Sequence, residues 1–201
     1  MTRRARLFVA VAGLLVGLSV LFPLWRIDLI APQYPEGLGL YISSRSIEGI
    51  KPNDLASING LNHYIGMRVI EPDQIPELRF MAPLMLGLGL AGLGVAALGK
   101  RAVLVAWLGA LGLLLTGGLA DMYKWGYDYG HNLDENAIIK VPGMTYQPPL
   151  IGSKQLLNFR ATSWPALGGW LLTIATVLAV MAWWQGRAKR GGAAPAPGAS
   201  A

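Results

Sequence analysis

No cysteine occurs among the 201 residues, and only two residues are histidine. The first absence excludes disulfides, thiolate zinc sites, cysteine nucleophiles, iron–sulfur clusters and covalently attached c-type haem. Both histidines lie outside the apolar segments, which excludes a haem held between histidines of two membrane helices. Charge is scarce too. Asp, Glu, Lys and Arg make up 14% of the chain, against about 25% in an ordinary globular protein. Hydrophobic residues make up 53%, and the 26 glycines suit helices that pack closely in lipid. A soluble domain is not expected.

Four stretches carry no charge over about the 20 residues needed to cross ~30 Å of hydrocarbon: Leu7–Trp25, Phe80–Gly99, Ala102–Ala120 and Pro165–Trp184. Their few polar side chains, Ser19, Thr116, Thr173 and Thr176, can each bond back to their own helix. Lys100-Arg101 divides the second and third stretches into a tight helical hairpin. Trp25, Trp164, Trp183 and Trp184 fall at expected ends, where indole rings favour the interface. The expected fold is mainly α and integral to the membrane: a four-helix transmembrane bundle with a small mixed α/β exterior cap.

Basic residues orient it. Arg3, Arg4, Arg6, Lys100, Arg101, Arg187, Lys189 and Arg190 flank the spans on one side with no acidic residue among them. All 11 Asp and Glu lie in segments 26–79 and 121–164, beside the other nine Lys and Arg. The positive-inside rule then places both termini in the cytoplasm and the two long loops in the periplasm of a bacterial inner-membrane protein. The net charge of +6 is a topology signal, and no nucleic-acid partner is expected. Arg3-Arg4-Ala5-Arg6 before an apolar run also opens signal peptides, but the core is long and runs into Phe22-Pro23-Leu24-Trp25-Arg26 without a small-x-small site. An uncleaved first helix is expected, as is a disordered cytoplasmic tail over 185–201, whose Gly191–Ala201 is rich in Gly, Pro and Ala.

Exterior loops of 54 and 44 residues are long for unstructured chain and are expected to fold together as a cap. Gly37–Ile50 reads as extended, with Leu38, Leu40 and Ile42 alternating. Pro52-Asn53-Asp54 starts a helix with Asn53 or Asp54 as N-cap, Leu55, Ile58, Leu61 and Ile65 form its apolar face, and Gly66 ends it. The aromatic run Tyr123–Tyr129 offers that face a surface. Ala137–Val141 reads as a strand closed by Pro142-Gly143, and Lys154–Ser163 as another strand leading to the last span. Small residues at Gly87, Ala91 and Gly94, at Gly92 and Ala96, and at Ala106 and Ala110 allow close helix packing.

Candidate chemistry sits in the loops. His63 and Met67, at i and i+4 on a helix, pair an imidazole with a thioether, a soft donor set suited to Cu(I). Asp121–Asn132 adds His131, carboxylates and clustered rings, and Met144 offers another thioether, so one shared site could draw on His63, Met67, His131 and Met144. Two histidines in about 100 exterior residues are no enrichment, and structural roles for them are the preferred alternative. Tyr34, Asn62, Tyr64, Trp125, Tyr127, Asp128, Tyr129 and Tyr146 are the candidate partner-facing residues. Neither a hydrolase triad, an HExxH motif, a phosphate loop nor an intramembrane carboxylate is present, so an enzyme is not expected.

The phrases Ala31-Pro-Gln-Tyr-Pro-Glu-Gly37-Leu, Ile58-Asn-Gly-Leu-Asn-His63-Tyr-Ile-Gly-Met67, Tyr127-Asp-Tyr-Gly-His131-Asn-Leu-Asp134 and Lys140-Val-Pro-Gly-Met144-Thr-Tyr-Gln-Pro-Pro-Leu-Ile-Gly152 resemble a family of small polytopic membrane proteins encoded beside nitrous-oxide reductase and its copper-maturation proteins (NosB-like). The likeness covers roughly residues 5–185. It implies a large periplasmic copper enzyme, or its maturation proteins, as partner in denitrification, with a role in anchoring, assembly or electron supply. No catalytic residue follows from it. The leading expectation is a non-catalytic accessory protein with copper handling in its cap. The alternative is a quinol-interacting subunit with Trp125, Tyr127 and Tyr129 near the headgroup.

Overall fold

The computed structural model describes residues 1–188. Of the tail expected as disordered over 185–201, residues 185–188 instead continue the last helix, and 189–201, with the orienting residues Lys189 and Arg190, lie outside the described residues. The chain runs α1 (Arg3–Ser19), β1 (Trp25–Ala31), β2 (Tyr34–Ile42), β3 (Ile47–Gly49), α2 (Asp54–Tyr64), α3 (Glu77–Leu98), α4 (Arg101–His131), β4 (Gly152–Leu156), β5 (Phe159–Pro165) and α5 (Leu167–Ala188). It is a mixed fold of helices and one five-stranded antiparallel sheet, in the order β3-β2-β1-β5-β4.

Among the described residues three helices are long and apolar enough to cross a membrane: Glu77–Leu98, Arg101–His131 and Leu167–Gln185. The expected first span, Leu7–Trp25, falls short of that. Its helix has 17 residues, opens on Arg3, Arg4 and Arg6, and stops at Ser19. Pro23 follows, whose ring disfavours a helical conformation at the residue before it, and Trp25 already belongs to β1. The hairpin at Lys100-Arg101 is as expected: α3 closes on Gly99 in a left-handed conformation (φ 65°), and α4 starts two residues later. Ser19, Thr116, Thr173 and Thr176 do bond back to carbonyls of their own helices, at 2.6–2.9 Å.

Helix α1 lies between α3 and α5, burying Ala5, Val9, Ala12, Gly13 and Val16. Glycines set the distance. A Cβ on Gly13 would meet the Gly89 carbonyl at 2.8 Å, one on Gly89 the Gly17 amide at 2.8 Å, and one on Gly92 the Trp107 ring at 2.8 Å. Of the small-residue stripes, Gly92 and Ala96 are therefore the packed one. Ala91, Gly94, Ala106 and Ala110 are exposed, and Gly87 faces open space. Trp107 reaches across from α4 and donates to the Leu88 carbonyl at 2.8 Å. At the end away from the sheet, Arg6 donates from Nε to the Ala96 carbonyl at 2.7 Å and from its terminal nitrogen to that of Ala97 at 2.5 Å. These are acceptors that the end of α3 leaves without intrahelical partners.

The two loops fold together as expected. Antiparallel β1–β5 pairing runs from Trp25↔Pro165 to Ile30↔Arg160 and joins the first loop to the second in one sheet. The Trp25 indole donates to Ser163 Oγ at 2.7 Å, and that buried hydroxyl donates to the Leu150 carbonyl at 3.0 Å. Asp134 N–H donates to the Gly66 carbonyl and Ile139 N–H to that of Tyr64, at 2.8 and 2.9 Å. Leu38 and Leu40 are buried against Ile58 of α2. The apolar face of α2 thus lies on the sheet, where β-strand alternation supplies a matching row, and not primarily on the aromatic run.

Two further expectations are corrected. Ala137–Val141 forms no strand; its backbone turns, with Ala137 N–H closing on the Asp134 carbonyl at 3.1 Å. Lys154–Ser163 is a hairpin and not one strand, reversing at Leu157, which adopts φ 54°. Asn53 is the N-cap of α2, as expected, at φ 70° and without a side-chain cap bond. Asp54 instead turns its carboxylate to the Gly39 and Lys51 amides at 3.0 and 3.1 Å, tying α2 to β2.

Candidate functional site

Helix α4 has 31 residues, about 46 Å at 1.5 Å per residue, and so outruns a ~30 Å hydrocarbon layer by some 16 Å. Residues 121–131, expected as the start of a loop, therefore continue the helix up to the cap. Helix α4 leans against the other helices only lightly. Between it, α3, α5, α2 and the inner face of the sheet lies a cavity of about 1140 Å³. Drug-sized ligand sites are commonly about 300–1,000 Å³, so this one has room for a larger molecule.

One face of α4, with Leu114, Gly118, Asp121, Trp125 and Tyr129, lines the cavity, and Met81 and Met85 of α3 and Leu172 of α5 lie across it. The sheet contributes Ile27, Leu29, Leu40 and Ala161. The top is closed by residues 146–151 lying on α4. Gly130 makes that possible: a Cβ there would collide with the Gln147 backbone, and Tyr146 N–H donates to the Gly130 carbonyl at 2.9 Å. Tyr129 Oη donates to the Val69 carbonyl at 3.4 Å, fastening the first loop to the helix.

The wall is apolar but not inert. Three buried polar atoms on lining residues have no hydrogen-bond partner: Glu77 Oε2, Trp125 Nε1 and Tyr146 Oη. A buried polar atom left unmatched costs about 1–3 kcal/mol, and in native proteins such atoms usually have a partner. Burial pushes the Tyr146 phenol up from its ordinary pKa, so at neutral pH it remains an O–H donor. Two ring pairs line the same space, Trp125–Tyr129 with centroids 5.6 Å apart and Tyr146–Phe159 stacked at 6.2 Å. Asp121 joins Glu77 as a second carboxylate, and among the described residues no Lys, Arg or His lines the cavity.

Of the sequence-chosen residues, Tyr34, Asn62, Tyr64, Met67, Trp125, Tyr129 and Tyr146 are brought together around this cavity. Asn62 and Tyr146 are buried, while Tyr64 and Tyr127 are exposed. His63, Tyr127, Asp128, His131 and Met144 do not line it. His63 is exposed on α2, its ring edge-on to Tyr64. The helix ends at Tyr64 and turns at Gly66 (φ 78°), so Met67 does not continue the helical face of His63. His131 stacks on Tyr127 at 3.8 Å and its Nδ1 lies 3.0 Å from the Tyr127 carbonyl. Met144 sits in a turn closed on the Val141 carbonyl at 3.0 Å. Among the described residues no group of three or more His, Asp or Glu side chains is arranged to hold a metal ion.

Sequence reasoning missed Glu77 and the role of Gly130. The signals were present: an acid in the first turn of an apolar helix, and a glycine in the aromatic run beyond the expected membrane edge. Compared with known protein families, with curated proteins and with solved structures, the chain matches none.

Proposed function

We propose that this chain is a non-catalytic accessory protein of the bacterial inner membrane that holds an apolar molecule, drawn from the bilayer, beneath a periplasmic cap. The observation that carries the reading is the cavity of about 1140 Å³. Its wall continues from membrane helices into the exterior sheet, and three of its wall residues each carry a buried polar atom that has no partner among the described residues. Helix α1 counts as a fourth crossing in this reading. It lies along α3 and α5, with its arginines at the Lys100-Arg101 end and its other end at the cap. The positive-inside rule then puts that basic end in the cytoplasm.

The likeness to the nitrous-oxide reductase-linked family supports a periplasmic copper enzyme or its maturation proteins as the partner served. Exposed Ile138 and Val141 in the second loop, which do not line the cavity, favour a protein contact there, since exposed apolar side chains outside lipid can mark interaction surfaces. Purification in mild detergent, solvent extraction and mass spectrometry test the cavity. A lipid retained through gel filtration, and released by the cavity-filling change Gly118→Leu, is expected. Recovery of the same lipids from both proteins in equal amounts would overturn the reading.

A further inference from the structure

We infer that the occupant of this cavity is a neutral lipid with a planar, carbonyl-bearing head and a long apolar tail, that is, a quinone-type lipid. The inference rests on the reading that the cavity holds a membrane amphiphile, and it names which one the wall selects.

Charge decides first. Glu77 and Asp121 line the cavity and no basic side chain does, among the described residues. A phosphate or carboxylate head would lie beside two acids with no cation in the lining, Lys124 and Arg68 acting on Asp121 and Tyr129 only from behind it, in a poorly solvated space where like charges are felt strongly. Phospholipids and fatty acids are therefore poor occupants. Hydrogen bonding decides next. Trp125 Nε1–H and Tyr146 Oη–H are donors without acceptors, and a small turn of either ring would present its proton to a carbonyl oxygen. Glu77 Oε2 lacks a partner as well and would accept from the hydroxyl of the reduced, quinol form. Shape decides third. The pairs Trp125–Tyr129 and Tyr146–Phe159 offer faces and edges to a flat ring, which aromatic side chains engage in offset or edge-on geometry. Length agrees. The lining of α4 runs from Leu114 to Tyr129, about 22 Å of helix, so a ring held near Trp125 leaves the space beside Leu114, Met85 and Leu172 for a prenyl tail.

The test uses the full chain, freed of co-purified lipid and placed in nanodiscs of neutral phosphatidylcholine. Menaquinone-4, decylubiquinone, dioleoylglycerol, oleate and phosphatidylglycerol are titrated in turn, with thermal stabilisation as readout. Saturable stabilisation by a quinone is expected, with weaker effects from the uncharged glyceride and from both anions. Trp125→Phe and Tyr146→Phe each remove one donor and are expected to weaken quinone binding about three- to tenfold. Glu77→Gln should bring oleate binding closer to that of the quinone. Stabilisation by oleate, phosphatidylglycerol or dioleoylglycerol as strong as by quinone would overturn the inference while leaving an amphiphile site in place. Unchanged quinone affinity in both donor variants would overturn it too. No saturable binding of any of the five would remove the underlying reading with it. Should a donor variant not fold, photolabelling of the unaltered protein with an azido-quinone decides. Labels in 121–129 and 146–159 are expected, and labels confined to the outer faces of α3 and α5 would refute the assignment.

Discussion

Two regions of this molecule are packed by opposite rules. Where α1 crosses α3, glycines bring backbones into contact and nothing could be added: a single Cβ at Gly13, Gly89 or Gly92 already lies 2.8–2.9 Å from backbone or ring atoms. Beneath the cap, α4 stands away from its neighbours, large aromatic side chains line a void, and polar atoms go unmatched. Close packing maximises dispersion contact where lipid supplies no hydrophobic force between helices. An open, apolar, partly unsatisfied interior has no such stabilising logic of its own, which is why it reads as a place for something else. The difference locates support in one half and binding in the other.

The sharpest way to break this contrast is to add volume to each region. Gly92→Leu is expected to lose folded protein, with destabilisation of about 3 kcal/mol, seen as a collapsed gel-filtration peak in detergent. Leu90→Phe, at a position 69% exposed, should leave the peak unchanged. Equal tolerance at both positions would remove the claim of a saturated interface. Next in size is the link between α2 and the sheet. Asp54→Ala leaves the Gly39 and Lys51 amides without their acceptor and should cost about 2 kcal/mol. Hydrogen exchange would then rise around 38–40 and 51–55, while α3 stays protected. Gly118→Leu fills space that is empty, since nothing lies within 4 Å of its Cβ position. Its effect on the melting midpoint should be small, near ±0.5 kcal/mol, yet it should lose most of the retained lipid. The smallest effect belongs to the exposed His63: His63→Ala should change stability by less than about 0.5 kcal/mol and lipid retention not at all. A large loss of either would show that the His63 side of α2 belongs to the cavity region.

The same contrast explains what could be read in advance. Apolar runs without charge announce helices of membrane length, because burying a charge in hydrocarbon is costly wherever the helix sits; α3, α4 and α5 were therefore plain in the chain. The end of α1 was not, because Phe22-Pro23 interrupts an apolar run without changing its hydropathy. Leu38 and Leu40 announced a sheet face and Ile58 a helix face, and the two do meet in one buried cluster, but nothing announced the β1–β5 pairing, whose partners lie 130 to 140 residues apart in sequence. Choosing Trp125, Tyr129 and Tyr146 as notable residues needed only their type and spacing. Turning them toward a common void requires the extension of α4 and the glycine, Gly130, that lets the chain at 146–147 lie against it. The His63–Met67 pair illustrates the reverse: a spacing meaningful on a continuous helix loses that meaning when Gly66 ends the helix between them.

Strand β1 stands at the centre of the sheet, with β2 on one side and β5 on the other. Seen along the time axis of biosynthesis, these neighbours arrive very unequally. The β2 side closes within a few residues of leaving the ribosome, whereas the β5 side must wait until nearly all of the chain has been made. Throughout that interval β1 carries an open row of amide and carbonyl groups, an exposed edge of the kind that invites wrong partners. Trp25, too, waits for Ser163, its eventual acceptor. Nascent chains halted after α4 would possess helices and a hairpin but no completed sheet above the cavity, and they would be the natural clients of a chaperone or a membrane protease.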